Sequence, residues 1–478
     1  MTADSAPLHR PDPDHREPTP RSGLLSRRDL LSAASGCLLT SHLLRRGGVL
    51  INQGPTAPRP VPSPSQLTWQ HDERALFLHF GVNTFTDREW GDGSEEPAIF
   101  NPGALDARQW ARSAKQAGFR SMILTAKHHD GFCLWPTRTT KHSVASSPWR
   151  NGQGDLVREF VAACRAEGLR PGLYCSPWDR NSTVYGDSAR YNQFYCDQLT
   201  ELLTGYGQIH EVWFDGANGE GPNGRKQAYD WPRFFGLVRQ LQPDAVMFSD
   251  AGPDVRWIGN EQGVAGDPNW STVDPSRVPY PGVDAPGIND ALQHGDPDGS
   301  VWRPGETDTS IRPGWFYHPA EDGKVRPVEE LVGLYFSSVG RNSKLLLNTP
   351  PTRDGLLHDT DVSRLKGLNQ ALSRILGENL ASGGSKSWGG SVGTLDLGRS
   401  AAVGVLDLRE KIERGQMVAR YTVEGSDGGE WKVLSQGTTI GCRKLDRIAP
   451  ANVRRVRIRI EEAMGKVWPI ELRLYPPS

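Results

Sequence analysis

The feature that most constrains the fold is an alternation between short apolar runs and amphipathic segments, which extends from about residue 70 to residue 380. Parallel strands joined by crossover helices produce such an alternation. The apolar runs predict strands at 75–85, 121–128, 170–176, 211–216, 245–250, 256–261, 302–311 and 344–349. The segments between them predict helices at 106–118, 155–168, 189–205, 227–241 and 328–340. Eight strands with helices between them predict an α/β fold, a TIM-like (β/α)8 barrel.

The sequence changes character after residue 380. A Gly- and Ser-rich stretch is followed by short alternating runs at 402–408, 417–423, 431–434, 453–460 and 470–475, which turn residues separate. Half-solvated antiparallel strands show this alternation. We therefore predict a catalytic barrel over 70–380 and an all-β sandwich domain over 381–478, with no catalytic cluster in the sandwich.

The first 69 residues do not resemble part of a folded domain. Ser26-Arg27-Arg28 stand ahead of a modest apolar run, a combination that predicts a Tat-like signal peptide over 1–46. A basic leader without structure is the alternative. The apolar run is too short and too rich in Ser to span a bilayer, so no stable membrane insertion of the mature protein is expected. Residues 47–69 predict a Pro-rich linker. The protein is expected to be exported, to the periplasm or beyond the cell.

Charge and cysteine usage exclude several partners. The chain has 55 basic and 56 acidic residues and a formal net charge of −1, so no overall field attracts nucleic acid or an anionic membrane. None of the six cysteines forms a CxxC pair, and no His/Cys cluster has the spacing of a zinc site. We expect free thiols and no cofactor.

Polar and aromatic side chains collect where the predicted strands end. In a barrel of parallel strands these ends form one face, on which active sites lie. The clearest case is EVWFDGA at 211–217, where a buried strand delivers Asp215 beside Trp213. A helix cap is the other interpretation of this Asp. Other strand ends supply His79, Glu89, Trp90, His128, His129, Tyr174, Glu261, Glu306 and Trp315.

Two reaction classes could use these groups. A metal hydrolase needs converging ligands, but His128 and His129 are adjacent on a strand and point to opposite faces, so we predict no metal site. Glycoside hydrolysis needs two carboxyl groups on either side of the scissile bond. The short side chain of Asp215 suits a nucleophile, and Glu261 suits the general acid/base. Glu306 is the alternative acid.

With these motifs the chain resembles the retaining α-L-fucosidases of glycoside hydrolase family 29. The resemblance covers about 70–478 and rests on HFGVNTFTDREWG, TAKHHDGFCLW, GLYCSPWD, EVWFDGA, RWIGNEQG, RPGWFYH and LLLNTPP. It implies a barrel and a C-terminal sandwich, and the hydrolysis of terminal α-linked L-fucose with net retention and without a metal. Its partners would be fucosylated oligosaccharides or glycoconjugates.

The resemblance also implies roles for single residues. Asp215 of WFDG matches the nucleophile, and Glu261 of GNE matches the acid/base of a branch that acts on α-1,3/1,4-linked fucose. The implied substrate-binding residues are His79, Glu89, Trp90, His128, His129, Tyr174, Trp213 and Trp315.

Other functions stay open at this point. A glycan-binding, lectin-like protein could use an inactive barrel, although it would not need both Asp215 and Glu261. An α-L-galactosidase is close in chemistry, because its substrate adds only a hydroxyl at C6. Another retaining glycosidase such as a β-galactosidase would typically present two Glu at strand ends.

Overall fold

The computed structural model of the protein describes residues 44–46, 49–51 and 58–477. Strands β1 (Leu44–Arg46) and β2 (Val49–Ile51) are the first elements. The rest of the predicted signal peptide, residues 1–43, lies outside the described residues. No helix in the described part of the chain combines the length and the apolar character needed to cross a membrane.

The predicted barrel is confirmed. The next ten strands are β3 (Arg74–Leu78), β4 (Ser121–Lys127), β5 (Arg170–Cys175), β6 (Glu211–Trp213), β7 (Val246–Ser249), β8 (Val255–Trp257), β9 (Thr272–Val273), β10 (Val301–Trp302), β11 (Gly305–Ser310) and β12 (Ser343–Asn348). All except β9 and β10 pair in parallel and close in the order β11-β12-β3-β4-β5-β6-β7-β8. Each predicted strand therefore corresponds to one barrel strand.

Most helices pack on the outside of the barrel, whereas the first one places Trp69 against the barrel interior, where its indole N–H donates to Glu211. The helices are α1 (Pro64–His71), α2 (Val82–Thr86), α3 (Ala107–Gln116), α4 (Leu156–Ala166), α5 (Ser188–Gly205), α6 (Trp231–Leu241), α7 (Ile288–His294), α8 (Val328–Ser337) and α9 (Asp359–Ile375). Four of them begin with an Asp whose carboxylate accepts a backbone N–H of the first turn: Asp106, Asp155, Asp187 and Asp230. These caps explain why the helix starts could be predicted from the sequence.

Several predicted boundaries differ from the structure. The helix predicted over 227–241 begins at Trp231, and the strand predicted over 256–261 ends at Trp257. The strand predicted over 75–85 ends at Leu78, because Gly81 starts the short helix α2 and Asp87 closes it in the left-handed region at a φ of 61°. The predicted linker over 47–69 ends earlier than expected. Ser63 and Gln66 form a capping box that starts α1, and Trp69 of that helix is fully buried.

The C-terminal domain is built from antiparallel strands, as predicted. They are β13 (Ser385–Gly389), β14 (Val392–Arg409), β15 (Val418–Ser426), β16 (Lys432–Gly437), β17 (Lys444–Ala463) and β18 (Glu471–Tyr475). The long strands β14 and β17 pair through two register shifts, and their two halves bind different neighbours: β13 and β15 at one end and β18 at the other. The strands enclose their own apolar core, which includes Leu406, Val423, Val456 and Leu474. At the far end of β17, the backbone of β2 pairs in parallel.

The C-terminal domain contacts the end of the barrel where the strands begin. Glu73, just before β3, accepts hydrogen bonds from the Arg443 guanidinium at 2.8 and 2.9 Å. Arg443 also pairs with Asp407 at 2.7 Å. The opposite end of the barrel, where the strands finish, is formed by the loops that carry the predicted site residues. Cys133, Cys164, Cys175, Cys196 and Cys442 are free thiols among the described residues.

Candidate active site

The carboxyl ends of the barrel strands surround one cavity of about 420 Å³. All ten residues predicted for the site line it: His79, Glu89, Trp90, His128, His129, Tyr174, Trp213, Asp215, Glu261 and Trp315. Phe77, Ala217 and Asp308 complete the wall. The sequence positions of these groups span most of the barrel, so the closed sheet is what brings them together.

Asp215 is oriented by two neutral donors. Its Oδ2 accepts a hydrogen bond from the Tyr174 hydroxyl at 3.0 Å, and its Oδ1 accepts one from the Ala217 backbone N–H at 2.7 Å. No Lys or Arg among the described residues pairs with it, and the nearest ionisable nitrogen is Nε2 of His129 at 3.7 Å. A carboxylate held by hydrogen bonds alone stays available to an incoming electrophile.

The chain must pass close behind Asp215. A Cβ on Gly216 would lie 2.8 Å from Oδ1 of Asp250 and 2.8 Å from the backbone N of Gly282. Glycine is therefore required for the turn that carries Asp215 into the cavity. The lack of space explains the glycine of the Trp-Phe-Asp-Gly sequence.

A hydrogen-bond network fixes the protonation of His79. Nδ2 of Asn348 donates to the carbonyl oxygen of Trp315 at 2.8 Å, so its amide oxygen is the atom that faces Nδ1 of His79 at 2.9 Å. Nδ1 must then carry the proton, and Nε2 is left as an acceptor. Burial, the largest effect, lowers the pKa of His79 to about 3, which keeps this ring neutral.

His129 has the same arrangement with different partners. The Ser176 hydroxyl donates to the Trp178 carbonyl oxygen at 2.7 Å, so it accepts from Nδ1 of His129, also at 2.7 Å. Burial lowers the pKa of His129 and outweighs the opposing pull of Asp215, so this imidazole is neutral rather than an ion-pair partner. Nε2 of His129 is then a hydrogen-bond acceptor beside Asp215.

His128 lies between the other two histidines. Its ring is 4.2 Å from that of His129 and 5.5 Å from that of His79, measured between centroids. Burial lowers its pKa well below the usual value, and its Nδ1 has no hydrogen-bond partner among the described residues. A buried polar atom without a partner in a cavity wall is a group that a ligand can satisfy.

Glu261 occupies the rim of the cavity, four residues beyond the end of β8. Its Oε2 accepts a hydrogen bond from the Trp315 indole N–H at 3.4 Å. Partial burial, followed by the charges of Asp215 and Glu89, raises the pKa of Glu261 and outweighs the Trp315 bond. A carboxyl group with a raised pKa is suited to donate a proton to a leaving group.

Glu306, the alternative acid, lies elsewhere. Its side chain is fully buried and lines neither this cavity nor the adjoining one. Its Oε1 accepts the indole N–H of Trp213 at 3.1 Å, and its Oε2 lies 3.8 Å from Nζ of Lys344. Trp213 therefore separates Glu306 from the cavity.

Asp308 is a carboxyl group that our sequence analysis did not select. It follows Glu306 by two residues on β11 and therefore points to the same side of the strand, one layer nearer the mouth. Its Oδ1 accepts the Trp257 indole N–H at 2.7 Å. Burial and the charge of Glu261 raise the pKa of Asp308 to about 8. Side chains alternate in direction along GETDTS, so Asp308 could have been identified from the sequence as a residue on the same side as Glu306.

The two predicted loop residues, Glu89 and Trp90, differ in their surroundings. Glu89 accepts hydrogen bonds from the backbone N–H groups of Trp315 and Phe316 at 2.8 and 3.0 Å. Trp90 is 58% exposed, and its ring stands edge-on to those of His129 and Trp178 at 5.9 and 5.7 Å. The Trp90 ring is therefore accessible to a ligand, whereas the Glu89 carboxylate already accepts hydrogen bonds from the protein backbone.

A second cavity of about 320 Å³ adjoins the first. The two share Trp213, Asp215, Ala217, Glu261 and Asp308. Its remaining wall is formed by Phe214, Gly216, Phe248, Asp250, Trp257, Gly282 and Val283. Asp215 and Glu261 therefore stand between two spaces, as a cleavage reaction between two joined units requires.

The described residues contain no group of three or more His, Cys, Asp or Glu side chains arranged to hold a metal ion. The chemistry available in the cavity is that of its side chains: an oriented carboxylate, a carboxyl group with a raised pKa and three neutral imidazoles. Every residue that lines either cavity belongs to the barrel.

Comparison with known proteins points to one family. A family model described as Alpha-L-fucosidase matches residues 68–375. Alpha-L-fucosidase 1 of Arabidopsis thaliana is 43% identical over 443 residues, which cover 86% of this chain and 86% of that protein.

Solved structures give the same result. A glycoside hydrolase 29 family member from an unknown rumen bacterium superposes with a TM-score of 0.83 at 40% identity, covering 88% of this chain and 78% of that one. A Ruminococcus gnavus GH29 fucosidase, solved in complex with fucose, superposes with a TM-score of 0.78 at 32% identity, covering 89% of this chain and 97% of the other.

Proposed function

Because the chain belongs to the alpha-L-fucosidase family and is a glycoside hydrolase, we propose that it removes terminal α-linked L-fucose from glycans by a retaining double displacement. The observation that carries this proposal is the pair of carboxyl groups at the junction of the two cavities. Asp215 is held by neutral donors, and Glu261 has a raised pKa at the rim.

The proposed reaction has two steps. Asp215 attacks the anomeric carbon of fucose while Glu261 gives its proton to the departing glycosidic oxygen, so one C–O bond forms as the other breaks. Glu261, now ionised, then takes a proton from water, whose oxygen displaces Asp215 from the same carbon. Two inversions give net retention.

The neutral histidines suit the recognition of a sugar. Nε2 of His79 and of His129 are acceptors, so each can receive the proton of a sugar hydroxyl. Phe77 and Trp213 supply apolar surface, and their rings lie 5.4 Å apart. We propose that fucose occupies the 420 Å³ cavity, between these rings and the imidazoles.

We propose α-1,3/1,4 linkages as the natural target. The adjoining cavity supports this assignment, because it leaves room beyond Asp215 and Glu261 for a leaving group larger than a simple aglycone. The direct test follows the hydrolysis of an aryl α-L-fucoside and of a Lewis-type trisaccharide by NMR. Initial release of α-L-fucose, with faster turnover of the trisaccharide, is the expected result.

Other outcomes of that experiment would be equally informative. β-L-Fucose as the first product would mean inversion and would overturn the roles of both carboxyl groups. Preference for the simple fucoside would contradict the linkage proposal alone. Comparable turnover of an α-L-galactoside would broaden the substrate to that sugar. Binding without turnover of either fucoside would favour a glycan-binding protein.

The role of Glu261 has its own test. In Glu261→Ala, azide should restore turnover of a substrate with a good leaving group, because that group departs without a proton and azide, unlike water, needs no base to activate it. Azide would attack the glycosyl intermediate on Asp215 from the opposite face, so the product should be α-L-fucosyl azide. Formation of the β-azide, or no rescue, would contradict the assignment.

We also propose that the protein is exported by a Tat-like route. The support is the Ser26-Arg27-Arg28 sequence ahead of an apolar run. Residues 1–46 fused to a folded reporter should direct it across the membrane. The matched control replaces Arg27 and Arg28 by Lys, and equal export of both fusions would contradict the proposal.

A further inference from the structure

Trp90 is the most exposed large side chain in the cavity wall, and few neighbours hold it. Its ring meets those of His129 and Trp178 nearly at right angles. It lines the 420 Å³ cavity and not the adjoining one. An aromatic ring beside a bound sugar can pack against the C–H groups of that sugar. The position of the ring therefore depends on what holds its backbone, which belongs to residues 90–95, the Trp90 loop.

The Trp90 loop is folded around one buried carboxylate. Oε1 of Glu95 accepts the backbone N–H of Asp92 at 2.8 Å, and its Oε2 accepts that of Gly93 at 2.9 Å. These bonds shape the loop from within. They do not attach it to the barrel.

The attachment comes from two side chains in the loop after β5. The Arg180 guanidinium donates to the carbonyl oxygen of Gly91, the residue that follows Trp90. Nδ2 of Asn181 donates to the carbonyl oxygen of Gly93 at 2.8 Å. At a φ of 86°, a Cβ on Gly93 would lie 2.6 Å from the backbone N of Asn181. The two loops therefore meet backbone to backbone.

The loop after β5 is anchored in its turn. Oδ1 of Asp179 accepts the backbone N–H groups of Asn181 and Ser182 at 3.0 and 2.8 Å. Oδ2 of Asp179 lies 3.1 Å from Nζ of Lys127, a fully buried residue at the end of β4. Arg180 thus projects from a fixed base.

Arg180 also contacts both residues that the Trp90 ring touches. Its backbone N–H donates to the His129 carbonyl oxygen at 2.9 Å. Its guanidinium carbon lies 5.5 Å from the centre of the Trp178 ring, within the range of a cation–π contact. Arg180 lines neither cavity, so it joins three parts of the wall from behind.

We propose that Arg180 is a positioning residue, which holds the Trp90 loop and so sets the Trp90 ring against the sugar in the 420 Å³ cavity. This inference rests on the proposed function, in which fucose occupies that cavity. It predicts that loss of Arg180 weakens the binding of fucose and has little effect on the reaction of bound substrate, which Asp215 and Glu261 carry out.

Two substitutions of Arg180 test the hydrogen bond to Gly91. Arg180→Met keeps a long side chain without a donor, whereas Arg180→Lys keeps a donor. In Arg180→Met the inhibition constant of L-fucose and the KM of an aryl fucoside should both rise about fivefold, with little change in kcat. Arg180→Lys should recover most of this loss. Equal constants in Arg180→Met and the natural protein would overturn the proposal.

A control and a second variant accompany them. Arg190→Met makes the same change at an arginine whose side chain is 70% exposed and should leave both constants unchanged. Asn181→Asp keeps the size of the side chain but removes the donor to Gly93, so it should weaken inhibition by L-fucose in the same direction. This variant tests the attachment of the loop even if Arg180→Met does not fold.

Trp90→Ala decides whether Arg180 acts through the ring. Alone, this variant should weaken inhibition by L-fucose about tenfold. Adding Arg180→Met should weaken it no further, because the ring that Arg180 positions is already gone. Additive losses would show that Arg180 reaches the sugar by another route and would overturn the proposal.

The same measurements keep this inference apart from the proposed function. If the natural protein hydrolyses the fucoside but Arg180→Met binds L-fucose equally well, only the positioning role is overturned. If L-fucose does not inhibit the natural protein, the assignment of the cavity to fucose fails, and the inference fails with it. KM should rise equally for the aryl fucoside and for the Lewis-type trisaccharide. A rise for the trisaccharide alone would place the Trp90 loop beside the leaving group and would contradict the inference.

Discussion

Carboxyl groups have different partners at the two ends of the barrel interior, which we call the floor, where the strands begin, and the mouth, where they end. At the floor, Nζ of Lys344 lies 3.1 Å from Glu211 and 3.8 Å from Glu306, and the Trp69 indole N–H donates to Glu211 at 2.9 Å. At the mouth, the hydrogen bonds that Asp215, Glu261 and Asp308 accept within the described chain all come from neutral donors. Among the residues that the structure describes, no Lys or Arg lines either cavity.

The difference teaches how one strand can serve both stability and chemistry. Glu306 and Asp308 are two residues apart on β11, and both point into the barrel. Burial and Glu211 raise the pKa of Glu306, which Lys344 opposes. This raised pKa favours the protonated, neutral form of Glu306. The described part of the chain places no such cation at the mouth, so the carboxyl groups there remain free to react.

The largest effect should come from the mouth. Asp215→Ala removes the proposed nucleophile and should lower kcat/KM at least about 10³-fold. The fold should survive, because the Asp215 carboxylate accepts only two hydrogen bonds from the described residues. Azide in place of the carboxylate should give β-L-fucosyl azide, the product of a single inversion. Substantial residual activity would contradict the proposed nucleophile. An unfolded protein, seen by circular dichroism, would show that Asp215 contributes to stability as the floor residues do.

The floor should respond in stability instead. Lys344→Met leaves Glu211 buried without a cation and should cost about 3–5 kcal/mol in the free energy of unfolding. The control is the double variant Glu211→Gln with Lys344→Met, which removes both charges and should recover much of the loss. Denaturant unfolding measures both. A small change in the single variant would show that the floor does not depend on this pair.

Asp308 tests the boundary between the two regions. Its folded pKa of about 8 lies above the unfolded value near 4, so the folded state holds a proton that the unfolded state loses. Stability from this group is therefore complete below about pH 4 and is lost as pH rises towards 8. Asp308→Asn keeps the neutral form at all pH values. Its stability relative to the natural protein should rise with pH, by at most about 1.4 kcal/mol per pH unit.

Thermal or urea unfolding at pH 5 and at pH 7.5 measures this change. Other titrating groups are common to both proteins and cancel in the difference. A difference that does not vary with pH would mean that Asp308 is ionised like an exposed carboxylate.

Much of the architecture could be predicted because short sequence patterns determine its strands and helices. Most barrel strands are short apolar runs, with the polar β11 as the exception, and Asp caps mark the starts of four helices. The site could be predicted because parallel strands present their carboxyl ends on one face. Asp215, in WFDG at the end of β6, is the clearest example.

The rest depends on three-dimensional relations that no local pattern contains. Whether Glu306 or Asp308 reaches the cavity depends on how far along the barrel axis each residue lies. The contacts of Glu89 join residues more than 200 positions apart in the chain. Asn348, which fixes both His79 and Trp315, is part of the LLLNTPP motif, but its partners come from two other strands' loops.

Trp213 belongs to both regions and should show the smallest effect. Its indole N–H donates to Glu306 at the floor, while its ring lines both cavities and stacks on Phe248 at 4.1 Å. Trp213→Phe keeps an aromatic face but leaves Oε1 of Glu306 without a donor, which should cost about 1–2 kcal/mol of stability. The smaller ring should also weaken substrate binding by about 1 kcal/mol, seen as a severalfold rise in KM with little change in kcat. If stability falls without any change in KM, Trp213 acts only at the floor, and the sugar does not contact its ring. If KM rises at unchanged stability, the hydrogen bond to Glu306 contributes nothing to stability. Trp213 would then act in substrate binding alone.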